Sequence, residues 1–324
     1  MATMTTANHR QTAAFGASPA VVWHTLEATR AAAIAAAAWA GRGDSIAADG
    51  AATAAMRTVL RALPGSGVVV TGEGAKDGAP MLADGERLGD GHADEFDLAV
   101  DPVECTDLCA RGLAGALSTA AVAPAGTLWR PGPSFYMDKL VVGAPARGAT
   151  RITDPAETTV AKTAEALGCA RSQLRVIVLD KPRHRELIER LRATGASVAT
   201  PPAGDVAAAL AVALGDADLL LGVGGTPEGV LAACAVAALG GEMQARLAPQ
   251  REDERDALRR AGYAAETVMT MSELASAPAT FIATGITGGL LDAPRRTARG
   301  MVTDSLLVAR GAVMRLQHTT PIQE

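Results

Sequence analysis

From Pro155 to Gly241 the chain alternates helical and extended patterns with a regularity that few folds accommodate. The segments PAETTVAKTAEALG, PRHRELIERLRATG, DVAAALAVALG and PEGVLAACAVAALGG carry helical spacing, and between them stand the short apolar runs LRVIVLD, ASVAT and ADLLLGVGG. A short apolar run bounded by Gly, Pro or Asp reads as a buried strand, whereas apolar residues three and four apart read as a helix face. Such alternation implies an α/β fold in which a sheet is covered by helices on both faces. Ligands in these folds sit beyond the carboxyl ends of the strands, so the loops there are where chemistry is expected.

The first half is less regular. SPAVVWHTLEATRAAAIAAAAWAG opens on a Ser18-Pro19 cap and stops at Gly41, which predicts one long helix. DGAATAAMRTVLRAL predicts a second, ended by Pro64-Gly65. GVVVTGEG and FDLAVDP predict strands, and TDLCARGLAGALSTAAV a return to helix. ATFIATGITGG and VTDSLLVARGAVMRL predict late strands after a polar, Arg-rich span from Ala248 to Ala261. Residues 1–18 are expected to form a loose tail, followed by an N-terminal half (19–150) and a C-terminal half (151–324).

Composition narrows the function. A chain of 324 residues can bury a full core, which favours an enzyme over a small adaptor. Its formal charge of -5, with no sustained basic run, argues against nucleic acid as partner. No uninterrupted apolar stretch of about 18 residues would span a bilayer. The N-terminal MATMTTANHRQTAAFGASPA lacks the apolar core of a secretory signal. Cys105, Cys109, Cys169 and Cys234 form no disulfide-like framework, so a reduced, cytoplasmic protein with a small-molecule partner is expected.

Acids stand next to glycines in GRGDSIAADG, VTGEGAKDG, AVDPVECT and GVGGTPEG. Singly, each has an ordinary reading. Asp49 fits an N-cap, Glu73 a turn, and Asp101, Glu104 and Glu228 the first turns of helices. Gathered at one sheet edge, four or more carboxylates repel one another, and a cation removes the problem. Oxygen donors without paired histidines select Mg²⁺ or Mn²⁺ over Zn²⁺. Two such ions clamp the attacking and departing oxygens of a phosphate ester. In this scheme a strand delivers Asp101, Pro102 fixes the turn, Glu104 faces the same metals, and the amides from Glu104 to Thr106 meet phosphate. Thr106 orients or helps to deprotonate the attacking water.

From about Trp23 to Leu316 the chain resembles the class II fructose-1,6-bisphosphatases, members of the lithium-sensitive, metal-dependent sugar phosphatases. The resemblance is carried by GRGDSIAADGAATAAMR, GEGAKDGAPML, DLAVDPVECT, YMDKL, DKPRH, GDVAAAL, GVGGTPEGVLAA, GEMQARL and ATGIT. It implies a layered αβαβα fold with two sheets sandwiched by helices, and assembly as a homodimer or homotetramer. It implies Asp49, Glu73, Asp101, Glu104 and Glu228 as metal ligands, with Thr106, Asp77 and Glu104 as the catalytic set. It places Cys105, Thr106, Tyr136, Lys139, Lys181, Arg183 and Asp205 on the sugar phosphate, and makes His184 a structural or pocket-wall residue rather than a base. The implied activity is hydrolysis of fructose 1,6-bisphosphate or sedoheptulose 1,7-bisphosphate. The alternatives are a phosphatase of another sugar or cyclitol phosphate and a non-catalytic sugar-phosphate binder.

Several positions depart from the family pattern. Cys105 stands where the family has Gly, Ser45 for Lys, Ala203 for Asp, and Lys181 for Arg. Asp107 replaces an uncharged residue, Gly288 an Asp, and Val302 and Asp304 an Arg and a His. The carboxylates expected to bind metal all remain, while most of the changes remove positive charge or add negative charge where an anionic substrate is expected to approach. Cys105 has two readings, a reactive thiol or a small stand-in for glycine.

Overall fold

The computed structural model describes residues 17–73, 81–92 and 95–321. These fall into two compact units, one running up to Leu128 and resuming at Ala277, the other spanning Trp129–Ser276. Of the expected tail, residues 1–16 lie outside the described residues.

In the first unit, helix α1 (Pro19–Ala37) starts where the Ser18 hydroxyl accepts the amide of Val21, ahead of Pro19 at the first helical position. Helix α2 (Ser45–Leu60) is capped by Asp44, whose carboxylate accepts the amide of Ala47 at 2.9 Å. Asp49 therefore lies inside α2, and the reading of Asp49 as an N-cap is corrected. Strands β1 (Ser66–Thr71), β2 (Arg87–Leu88), β3 (Glu95–Glu104), β4 (Leu117–Pro124), β11 (Thr280–Gly285), β12 (Arg295–Thr297), β13 (Gly300–Ala309) and β14 (Ala312–Thr320) form an eight-stranded sheet. Its order is β12-β13-β11-β4-β3-β1-β2, with β14 also on β13. Strand β1 runs parallel to β3; β3, β4, β11 and β13 are successively antiparallel.

Val22 and Leu26 of α1 pack on Ile282, Leu307 and Ala309 of β11 and β13. A hydroxyl seam runs through the same face: Thr29 bonds Thr284, Thr284 bonds Ser305, and Arg30 Nε donates to Ser305. Because β11 pairs with β4 over its whole length, the late strands belong with the N-terminal elements. This is why the units differ from halves meeting at residue 150.

The expected return to helix after Cys105 is also corrected. Only α3 (Thr106–Ala110) is helical, and Gly112 (φ 65°) and Gly115 (φ 118°) take left-handed turns that end it. The alanine-rich stretch that follows is β4, buried between β3 and β11. Small side chains suit this central position, and non-local pairing overrides the helical propensity of alanine.

The second unit holds a six-stranded sheet in the order β10-β9-β5-β8-β6-β7. Its strands are β5 (Tyr136–Val142), β6 (Arg175–Ile177), β7 (Ser197–Ala199), β8 (Leu219–Gly225), β9 (Glu242–Leu247) and β10 (Val268–Met269). Its helices are α4 (Ala156–Leu167), α5 (Arg185–Ala193), α6 (Asp205–Leu214), α7 (Thr226–Ala238), α8 (Glu252–Arg260) and α9 (Met271–Leu274). Alternate side chains of β5 enter two different cores. Met137 and Val141 meet Ala209 and Val212 of α6 and Ala233 and Val236 of α7. Leu140 and Val142 meet Val160 of α4 and Ile188 and Leu191 of α5. Helices thus cover both faces of this sheet, as the alternation implies. Among the described residues no helix is long and apolar enough to cross a membrane.

Candidate active site

In the first unit Asp101 and Glu104 lie at the carboxyl end of β3, and Glu73 follows the parallel strand β1. Strands β1 and β3 are parallel neighbours, so the residues after β1 and those finishing β3 emerge at the same carboxyl edge. Glu73 follows β1 by way of Gly72, where a Cβ would run into the Leu82 carbonyl oxygen. Helix α2, carrying the buried Asp49, packs against β3 and α3. Asp77 lies outside the described residues.

The segment from Asp101 to Thr106 has the most specific geometry. Pairing with β4 goes from Asp101↔Thr119 to Glu104↔Leu117, so β3 carries an extra residue there and bulges. Pro102, which has no N–H to offer a ladder, sits in the bulge. The Asp101 carboxylate accepts the amide of Val103 at 3.0 Å, and Thr106 Oγ1 donates to the Val103 carbonyl at 3.1 Å. One carboxylate oxygen of Asp101 and one of buried Glu104 come within 4.8 Å of each other. Two like charges this close disfavour joint ionisation unless a cation lies between them. An all-oxygen donor pair fits a hard dication such as Mg²⁺ or Mn²⁺.

Cys105 links Glu104 to Thr106 with φ 69° and ψ 52°, a left-handed conformation that disfavours a Cβ by about 1–2 kcal/mol. Glycine is the natural residue for that backbone, so cysteine here takes over a glycine's conformation. Asp107 is exposed on α3, whose five residues make little of a helix dipole.

In the second unit the expected sugar-phosphate residues cluster around the end of β8. The Arg183 guanidinium lies 5.2 Å from the Tyr136 ring centroid, and its Nε and Nη2 donate to the Val223 carbonyl. It lies over the ring and is still exposed. Lys181 precedes the short 3₁₀ turn Pro182–His184. Asp205 opens α6 just after Ala203 and Gly204, and Glu228 lies in the first turn of α7. Lys139 differs from expectation: it is 1% exposed, and its Nζ donates to Asp205 Oδ2 at 2.6 Å.

His184 is satisfied on both ring nitrogens. Nδ1 donates to the Leu179 carbonyl at 2.8 Å, and Nε2 accepts the Val223 amide at 2.8 Å. This requires the neutral ring, and burial pushes its pKa down against the opposing pull of the Leu179 bond. His184 is a structural pin, as the resemblance implies.

The departures divide in the same way. Asp304, 2% exposed, accepts from Arg315 Nε and Nη2 and from the amide of Asp292. Burial alone would raise its pKa, but these bonds and the Arg315 charge outweigh it and hold the carboxyl below its usual range. Its charge is spent inside the β13–β14 hairpin, which corrects the expectation that it opposes an approaching anion. Gly288 is left-handed (φ 85°), a backbone that an Asp would strain. Ser45 is the first residue of α2, and nothing in the structure explains the loss of lysine there.

Comparison with known proteins follows the same residues. The family described as bacterial fructose-1,6-bisphosphatase, glpX-encoded, matches residues 19–320. A fructose-1,6-bisphosphatase class 2 of Haemophilus influenzae is 40% identical over 297 residues, covering 86% of this chain and 89% of its own. The fructose-1,6-bisphosphatase 1 class 2 of Escherichia coli K12 is 39% identical over 297 residues, covering 86% and 88%.

Proposed function

The chain belongs to the bacterial glpX-encoded fructose-1,6-bisphosphatase family, and we propose that it is a divalent-metal-dependent phosphatase that converts fructose 1,6-bisphosphate to fructose 6-phosphate and phosphate. Sedoheptulose 1,7-bisphosphate is the nearest further substrate. The reading is carried by the bulge that brings Asp101 and Glu104 within 4.8 Å beside Thr106. Asp49, Glu73, Asp101, Glu104 and Glu228 are the ligands in this reading. Mg²⁺ or Mn²⁺, when bound, supplies Lewis-acid stabilisation of the charge developing on the phosphoryl oxygens.

The chain's own residues supply orientation. The Thr106 hydroxyl has one proton, committed to the Val103 carbonyl, so its oxygen is left as an acceptor. It can hold the attacking water by one of the water's protons and leave the lone pair for phosphorus. Asp77 and Glu104 are the carboxylates assigned to proton movement. Arg183, fixed on Tyr136, offers its remaining N–H groups to a phosphate oxygen, with Lys181 nearby in sequence. Asp205 accepts a sugar hydroxyl, and the backbone at Cys105 and Thr106 faces the phosphate. Among the described residues Cys105, Cys109, Cys169 and Cys234 form no disulfide, which fits a reduced cytoplasm, and a homodimer or homotetramer is the expected assembly, checked by light scattering.

The direct test measures phosphate release from a panel of sugar bisphosphates and monophosphates with Mg²⁺ or Mn²⁺. Release from fructose 1,6-bisphosphate is expected. No release from any of them would reject the proposal.

A further inference from the structure

Lys139 is among the largest fully buried side chains of the protein. An ammonium taken out of water costs several kcal/mol unless its charge and its hydrogens are answered. Here they are. Nζ donates to Asp205 Oδ2 at 2.6 Å and to the Gly225 carbonyl at 3.0 Å, while the Gly225 amide donates to the same Oδ2 at 3.1 Å. Lysine, aspartate and the two backbone groups of one glycine close a small ring of bonds.

The ring stands on the side of β8 where pairing with β6 has run out, while pairing with β5 continues to Tyr136↔Gly225. Strand β8 pairs with β6 only as far as Ile177↔Leu220, yet continues to Gly225. Beyond that point the backbone groups of Val223 and Gly225 bond to side chains instead. Val223 meets His184 and Arg183; Gly225 meets Asp205 and Lys139. Side chains thus prolong the edge of β8 to the first residue of α7. A Cβ on Gly224 would displace Asp205 Oδ2, and one on Gly225 would displace Glu228 Oε2, so glycine at both positions lets these carboxylates lie close to the backbone.

We infer that Lys139 is a positioning residue: its buried ammonium ties Asp205 to the Gly225 carbonyl, and so fixes the turn from β8 into α7 from which Glu228 projects. It does not touch the substrate's phosphate. The inference rests on the reading of Glu228 as a cation ligand.

The test compares Lys139→Met, Asp205→Asn and the double variant with wild type. Three quantities are read: amide hydrogen exchange at residues 225–229, Mn²⁺ affinity by calorimetry, and affinity for inorganic phosphate. Lys139→Met should speed exchange at the turn about tenfold or more, the scale of one lost charge-assisted bond. Mn²⁺ binding should weaken with it, and the effects of the two single changes should not add in the double variant. Loss of phosphate affinity with exchange and Mn²⁺ affinity unchanged would make Lys139 a substrate ligand and overturn the inference. So would strictly additive effects. If Lys139→Met fails to fold because Asp205 is left as a lone buried charge, the double variant decides, and wild-type exchange at its turn would overturn the inference. Exchange needs neither metal nor substrate. A wild-type protein that binds no Mn²⁺ and releases no phosphate therefore defeats the proposed function, not the role of Lys139.

Discussion

The turn that ends β3 and the turn that ends β8 both hold buried acids, and they treat them in opposite ways. After β8, Asp205 meets an internal cation, Lys139, and the pair spends its charge on fixing backbone. At the end of β3, a bulge brings the carboxylates of Asp101 and Glu104 toward each other. An internal ion pair sets geometry and is complete as the chain folds. Converging carboxylates create an electrostatic demand that a dication answers. The contrast separates an acid whose charge is met inside the fold from a pair of acids whose mutual repulsion a dication would relieve.

Glu104→Gln is the change that most directly breaks this contrast. Phosphate release should fall about a hundredfold to a thousandfold, the scale of losing one stabilising group at a developing charge. In parallel, Mn²⁺ should raise the Tm of wild type, because a ligand of the folded state stabilises it by mass action. The same addition should leave Glu104→Gln nearly unmoved. Equal Tm shifts in both proteins would remove Glu104 from the ion site.

Asp304 sharpens the contrast, because it lies in the first unit and yet follows the rule of the second. Asp304→Asn should cost about 1.5–3 kcal/mol, the range for hydrogen bonds to a charged group. The partner Arg315 is half exposed and returns to water, so no stranded charge adds to that loss. The KM for fructose 1,6-bisphosphate should stay in place. The folded carboxyl titrates below its ordinary value of 3.8, so its contribution is complete above that value and is lost as pH falls through the lower folded one. The stability gap between wild type and Asp304→Asn should therefore be constant near neutrality and close in acid. A gap that persists at the lowest pH would mean the ion pair is not its source.

Legibility in the sequence follows the same division. The parallel core of the second unit was readable because β6 and β8 are apolar runs with helices on either side. Strands β5 and β9 carry the alternation of a strand, as in Glu242-Met243-Gln244-Ala245-Arg246-Leu247, but their polar residues hid it. Strand β4 could not be read locally, since its alanines favour helix and its strand state comes from β3 and β11 on either side. The acids were visible as carboxylates beside glycines. What their charges meet was not, because Lys139 and Asp205 stand 66 residues apart. Asp304 was nearer to reach. Arg310 and Gly311 turn the β13–β14 hairpin and bring Arg315 diagonally beside it.

The smallest expected effect concerns the residue that joins Glu104 to Thr106. If the β3 turn is shaped by its backbone, then Cys105 matters for its φ of 69° rather than for its thiol. Glycine would relieve the left-handed strain of about 1–2 kcal/mol but would also give the unfolded chain more freedom, worth about 0.5–1 kcal/mol. Cys105→Gly should accordingly raise the unfolding free energy read from denaturant titration by a net of up to about 1.5 kcal/mol. Cys105→Ala is the control, since it removes the sulfur and keeps the Cβ that causes the strain. It should stay near wild type. If alanine and glycine stabilise equally, the thiol and not the backbone carries the cost, and the turn owes its shape to the neighbouring bonds of Asp101 and Thr106 alone.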